Sequence, residues 1–124
     1  MPGGEIITRG KTIDIGWLDR KLKRNCSSDR AGQRIFGPEQ WTVLKRRIVS
    51  LEAAPTLAAL EGVPGRFHEL SADRAGQFSL DLRGAYRLIF TPDHDPVPTL
   101  AEGGINRSLV TKVVIVEVVD HHGR

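Results

Sequence analysis

Arg87 and Asp81 are charged residues set inside two apolar-alternating runs, on the side that the apolar residues do not claim. His68, Asp73 and Arg74 stand just ahead of them in "HELSADRAGQFSL", and Asp120, His121 and His122 close the last apolar run. A guanidinium beside imidazoles and carboxylates has the means to bind a phosphate, stabilise charge developing on it and move protons without a metal. The groups lie far apart in the chain, so this chemistry needs a fold that gathers the ends of several strands. The competing reading is a solvated outer sheet face whose charges pair with one another.

The elements that would position these residues are legible in outline. "KTIDIGW" alternates Ile13 and Ile15 with polar neighbours, as a short first strand does. From Leu18 the chain is charged and sparse in apolar residues, which predicts an exposed helix interrupted around "CSSDRAGQ". In "GPEQWTVLKRRIVSLEAA", Pro38 and Glu39 suit a first helical turn. Trp41, Leu44, Ile48 and Leu51 then recur at helical spacing, and Pro55 ends the run. "TLAALEG" adds a further turn or two, and "VPG" is a break.

Beyond the break the period changes to two. "RFHEL" is a short extended candidate; Phe78, Leu80 and Leu82 share one face of "QFSLDLR", and Tyr86, Leu88 and Phe90 share one face of "YRLIF". Both triplets reach the core only if Leu82 pairs with Tyr86 and Phe78 with Phe90. That register requires a three-residue connection or a bulge, with Gly84 supplying the unusual backbone angle. It also sets Arg87 opposite Asp81. "TPDHDPVPTLAEGGINRS" is a polar loop, and "LVTKVVIVEVVD" reads as an interior strand. The order predicts an α+β domain over residues 1–124: a small, mainly antiparallel sheet of four to five strands with two to three N-terminal helices on one face.

Composition narrows the classes. The chain has 124 residues, 40% apolar and 27% charged, which suits one globular domain. Cys26 is the only cysteine, so an internal disulfide is excluded and a reducing compartment fits. The N-terminal stretch lacks the apolar core of a signal peptide and no apolar run reaches membrane-spanning length, so a cytoplasmic location with no membrane partner is expected. The net charge is +3, but residues 17–50 carry nine Lys or Arg against Asp19, Asp29 and Glu39, leaving the remainder of the chain at −3. A basic half suggests an anionic partner; solvated helix surfaces are the plainer account. Cys26 reads as a small helix residue, and Asp93, His94 and Asp95 as turn chemistry in "PDHDP". No metal or cofactor is expected.

The stretch "PGRFHELSADRAGQFSLDLRGAYRLIFTP", followed by "VTKVVIVEVVDHH", resembles the RelE/ParE superfamily of bacterial toxins. Within it the HigB-like branch, the plasmid-maintenance killer proteins, is most similar. The resemblance runs over residues 64–92 and 110–122; the helical half agrees only in layout. It implies a β-α-α-β-β-β-β fold and a ribosome-dependent endoribonuclease that cuts messenger RNA through the ribose 2′-hydroxyl, neutralised by a HigA-like antitoxin. Oligomers would form mainly with that antitoxin. By position, His68 matches a histidine near the scissile nucleotide and Arg87 the phosphate-stabilising arginine. Arg74 matches a basic residue beside the site. Asp120 and His122 match the ends of a terminal Asp-aromatic-His motif, with His121 in the aromatic place. Arg66, Lys45, Arg46 and Arg47 are the cations expected to hold RNA, those of the helix on ribosomal RNA.

The sequence departs from the family pattern at two points. Ser71-Ala72 stands where Lys-Gly is common, so a positive charge is missing, and His121 replaces a tyrosine, though imidazole also stacks and titrates near neutrality. Two rivals share the fold: a ParE-like gyrase inhibitor that acts by binding, and an inactive antitoxin-binding module.

Overall fold

Short side-chain caps divide the basic half into helices. The structure is a computed structural model and describes residues 11–120. Strand β1 (Asp14–Trp17) is followed by helices α1 (Arg20–Asn25), α2 (Asp29–Phe36) and α3 (Pro38–Ala53). The Asp19 carboxylate accepts from the Lys21 amide at 2.8 Å, and Ser28 Oγ accepts from the Ala31 amide at 3.1 Å. Each satisfies an amide that the helix itself leaves unpaired. The break expected around "CSSDRAGQ" is therefore confined to Cys26–Ser28, and "DRAGQ" is helical. Three α-helices result, the upper number of the two to three expected.

Gly37 separates α2 from α3 at φ 84°, where a side chain would be strained, and Pro38 opens α3 with its missing amide donor at no cost. Helix α3 ends where Ala54 turns extended ahead of Pro55. A 3-10 segment, Leu57–Gly62, adds buried Leu57 and Leu60.

Strands β2 (His68–Glu69), β3 (Phe78–Asp81), β4 (Tyr86–Pro92) and β5 (Lys112–Asp120) complete a five-stranded sheet of order β1-β5-β4-β3-β2. Among the described strands only β1 and β5 run parallel; the other neighbours are antiparallel. The architecture is α+β, with a mixed and mainly antiparallel sheet. Trp41, Leu44 and Leu51 of α3 share one buried cluster with Phe78, Leu80, Leu88, Phe90, Val113 and Ile115. Each such side chain, once buried, stabilises the fold by about 2 kcal/mol against the entropy of ordering it.

The β3–β4 hairpin has the register required by its apolar pattern. Phe78 opposes Phe90, Leu80 opposes Leu88, and Asp81 opposes Arg87. The Leu82 amide donates to the Tyr86 carbonyl at 2.8 Å, leaving Arg83, Gly84 and Ala85 as a three-residue connection with Gly84 at φ 63°. On the other side of β4 the register shifts: Ile89 opposes Glu117 whereas Phe90 opposes Ile115. The extra residue, Val116, is a β-bulge that reverses the strand's alternation. Val113 and Ile115 enter the core before it, Val118 packs on the core after it, and Glu117 and Val119 move to the opposite face.

Candidate functional site

The face of the sheet away from α3 carries two cross-strand rows. His68, Ser79, Ile89 and Glu117 form one; Asp81, Arg87 and Val119 form the next. Between β2 and β3 the chain makes a 3-10 turn at Ala72–Arg74 and folds back over the first row. Thr91 Oγ1 donates to the Gly76 carbonyl at 3.0 Å, and the Arg74 guanidinium bonds both the Gln77 side chain and the Glu117 carboxylate. Ser79 and Ile89 are consequently buried, although neither belongs to the α3-side core. Ser79 Oγ has no hydrogen-bond partner among the described residues. The expected face is therefore polar at its end but covered at its middle. Sequence pattern gave no sign of the cover, because it depends on a turn meeting a strand far along the chain.

Beside this cover lies a cleft of about 420 Å³ lined by His68, Leu70, Ser71, Asp73, Arg74, Arg87, Val119 and Asp120. Five residues singled out in the sequence, His68, Asp73, Arg74, Arg87 and Asp120, thus border one space, with Leu70 and Val119 as apolar wall. The register assigns Val119 to the Arg87 face and sets Asp120 opposite Tyr86, and Asp120 reaches the cleft at the strand end. His121 and His122 lie outside the described residues.

Arg87 has an unusual environment. Its side chain is 19% exposed, its Nε lies 3.5 Å from Asp81 Oδ1, and it makes no side-chain hydrogen bond among the described residues. A guanidinium carries five N–H donors in a planar fork, so a mostly buried arginine with none of them bonded is set up to receive an anion. Asp81 is shared with Arg66, whose guanidinium sits 3.8 Å away and is largely exposed. Arg66 itself has φ 48° and Ala72 has φ 57°, so two non-glycine residues in the left-handed region bracket the His68 strand. Such backbone costs about 1–3 kcal/mol per residue and persists only where surrounding contacts impose it.

The cations of α3 are arranged differently. Lys45 pairs with Asp29 at 2.6 Å and lies over the Trp41 ring, while Arg47 Nε donates to the Asp81 carbonyl at 2.8 Å. Together with exposed Arg46 they line a separate hollow with Val49, Ser50 and Pro64. Because α3 covers the core face, these residues and the cleft lie on opposite sides of the sheet. Two of the three helical cations selected from sequence are thus already engaged within the fold. Hydrogen bonds from Lys45 and then Trp41 hold the Asp29 carboxyl below its usual range. Burial pushes the Cys26 thiol up to about 11, which keeps it protonated and unreactive near neutral pH. His94 Nε2 accepts from the amides of Thr111 and Lys112 at 3.1 and 3.3 Å, giving the "PDHDP" histidine a structural task.

Glu117, Gln77 and the wall residues Leu70 and Val119 escaped the sequence reading. Glu117 sits in a β-branched run whose strict alternation would point it into the core; only the bulge at Val116 frees it. Among the described residues no three His, Cys, Asp or Glu side chains gather as metal ligands do. None of the described helices is long and apolar enough to cross a membrane. Comparison of the chain with protein families, with curated proteins and with solved structures finds no match in any of the three.

Proposed function

We propose that this chain is a RelE-like toxin of the HigB type, a metal-independent endoribonuclease that cleaves messenger RNA on the ribosome. The observation that carries the reading is the Arg87 guanidinium, mostly buried, ion-paired to Asp81 and without a side-chain hydrogen bond among the described residues, opening into a cleft that also holds an exposed histidine and two carboxylates. In the proposed reaction a base takes the proton of the ribose 2′-hydroxyl, whose oxygen attacks the neighbouring phosphorus. The P–O5′ bond breaks, a 2′,3′-cyclic phosphate forms, and an acid returns a proton to the leaving 5′-oxygen. Arg87 stabilises the charge on the phosphoryl oxygens, and His68, Asp120 and His122 are the candidates for proton transfer. His121 stacks on a base or shares in that transfer.

Arg74 adds positive charge within the cleft, and Arg66 adds it beside the Asp81–Arg87 pair. Arg46 and the cations of α1 would bear on ribosomal RNA from the other side of the sheet, through phosphate contacts that do not require base recognition. A HigA-like antitoxin is the expected regulator, and a cytoplasmic setting follows from the substrate. Mapping of message ends on translating ribosomes tests the reading. Cleavage by the parent protein with cyclic phosphate termini supports it. An intact message with a folded protein refutes it and leaves the binding rivals, of which gyrase inhibition is assayed directly by DNA supercoiling.

A further inference from the structure

We infer that Glu117 is a positioning residue that holds Arg74 as the second phosphate-binding guanidinium of the cleft. The inference rests on the proposal that the cleft takes an RNA phosphate. Arg74 stands on a turn whose first residue, Ala72, has φ 57°, a backbone that alanine rarely adopts. The turn is therefore not held by local preference. Two contacts tie it to the sheet: Thr91 Oγ1 with the Gly76 carbonyl, and the Arg74–Glu117 pair. Glu117 is available for the second only because Val116 bulges and turns it away from the core.

The geometry of the guanidinium fits a positioning task. Nη1 donates to Gln77 Oε1 at 2.7 Å and Nη2 to Glu117 Oε2. Two of five N–H donors are used, from two directions, so the plane is fixed while three donors remain for a ligand. Arg74 and Glu117 are each more than a third exposed, so the pair contributes little to stability as an ion pair. Its consequence is orientation. Arg87 has no side-chain hydrogen bond among the described residues, whereas Arg74 is aimed beforehand by a carboxylate that partly offsets its charge while the cleft is empty. A phosphate between them meets one guanidinium from the sheet and one from the covering turn.

Two substitutions distinguish positioning from scaffolding. Glu117→Gln keeps an acceptor oxygen for Arg74 and removes the charge; Glu117→Ala removes both. In the parent protein, titration with inorganic phosphate followed by the arginine Nε–Hε resonances should move the Arg74 and Arg87 signals together. In Glu117→Ala the Arg87 signal should still move while the Arg74 signal no longer responds. Glu117→Gln should restore the Arg74 response and tighten phosphate binding. In ribosome cleavage, Glu117→Ala should lower kcat about tenfold or more with KM changed by less than about threefold, and Glu117→Gln should recover most of kcat. Thermal midpoints of both variants should stay close to that of the parent. Equal losses in the two variants, an Arg74 response that persists in Glu117→Ala, or a parallel fall in thermal midpoint would overturn the inference. If the parent does not cleave message, the ribonuclease reading fails on its own, and the phosphate titration still decides the role of Glu117. If it cleaves but Arg74 ignores phosphate, the inference fails and the ribonuclease reading stands.

Discussion

Replacing Arg87 by alanine sets two effects of different size against each other. In the fold, Arg87 contributes one ion pair at 3.5 Å to Asp81, with side chains 19% and 29% exposed and no hydrogen bond among the described residues. Asp81 keeps Arg66 at 3.8 Å when Arg87 is removed, so its carboxylate is not left unaccompanied. A partly screened pair of this kind contributes about 1 kcal/mol or less, which lowers the thermal midpoint of a domain this size by about 4 °C at most. At the transition state, loss of a donor aimed at developing charge costs about 3 kcal/mol, equivalent to roughly a hundredfold in kcat. Catalysis should therefore fall by about two orders of magnitude in a protein that remains folded. Arg87→Lys keeps the charge but not the planar fork and should recover only part of the loss. The assay is single-turnover cleavage on programmed ribosomes beside a thermal melt of each variant. A folded Arg87→Ala protein that cleaves at the parental rate would show that the unbonded guanidinium is not a phosphate site.

Four further outcomes are expected. Gly32→Ala should destabilise the fold by about 2 kcal/mol, seen as a lower denaturant midpoint, because the added methyl would sit 2.2 Å from Trp41 in an already packed contact. The stability difference between the parent and Asp29→Asn should be fully present above about pH 5 and fade as pH falls through the folded-state pKa, because that pKa lies below its unfolded value of about 4; a difference that grows toward low pH would contradict the Lys45 and Trp41 contacts. His122→Ala should abolish message cleavage while ribosome binding persists, and His121→Tyr should be tolerated; end mapping and ribosome sedimentation of the same samples check both.

The parts of the fold that were legible from sequence are those fixed by neighbours in the chain. Phe78, Leu80 and Leu82 before Gly84, with Leu88 and Phe90 after it, admit one register that buries them together, so the Asp81–Arg87 pairing followed from the pattern; Tyr86, also expected in the core, stays exposed at the strand end beside the turn. Trp41, Leu44 and Leu51 mark the buried side of α3 for the same reason. The exposed His68 and the mid-strand Arg87 were recognisable because neither type suits the core. What stayed hidden depends on distant segments meeting. The Val116 bulge leaves no mark in a run of valines, and it alone turns Glu117 toward Arg74. The engagement of Lys45 by Asp29 and of Arg47 by the Asp81 carbonyl is equally invisible to a charge count, which does not say which cation meets which acceptor.

The parallel pairing of β1 with β5 joins segments near the two ends of the described chain. The β3–β4 hairpin and the α2–α3 pair need only short loops to close, whereas this seam must wait for the rest of the chain to be ordered. Local pieces should therefore form early and the seam late, making it the part most readily reopened from the native state. The cleft is lined by β2, the turn that follows it, β4 and β5, and not by β1. Opening of the seam would thus expose Ile13 and Ile15 while leaving the cleft assembled. Native-state hydrogen exchange should show the β1 amides exchanging by a cheaper route than those of the β3–β4 hairpin.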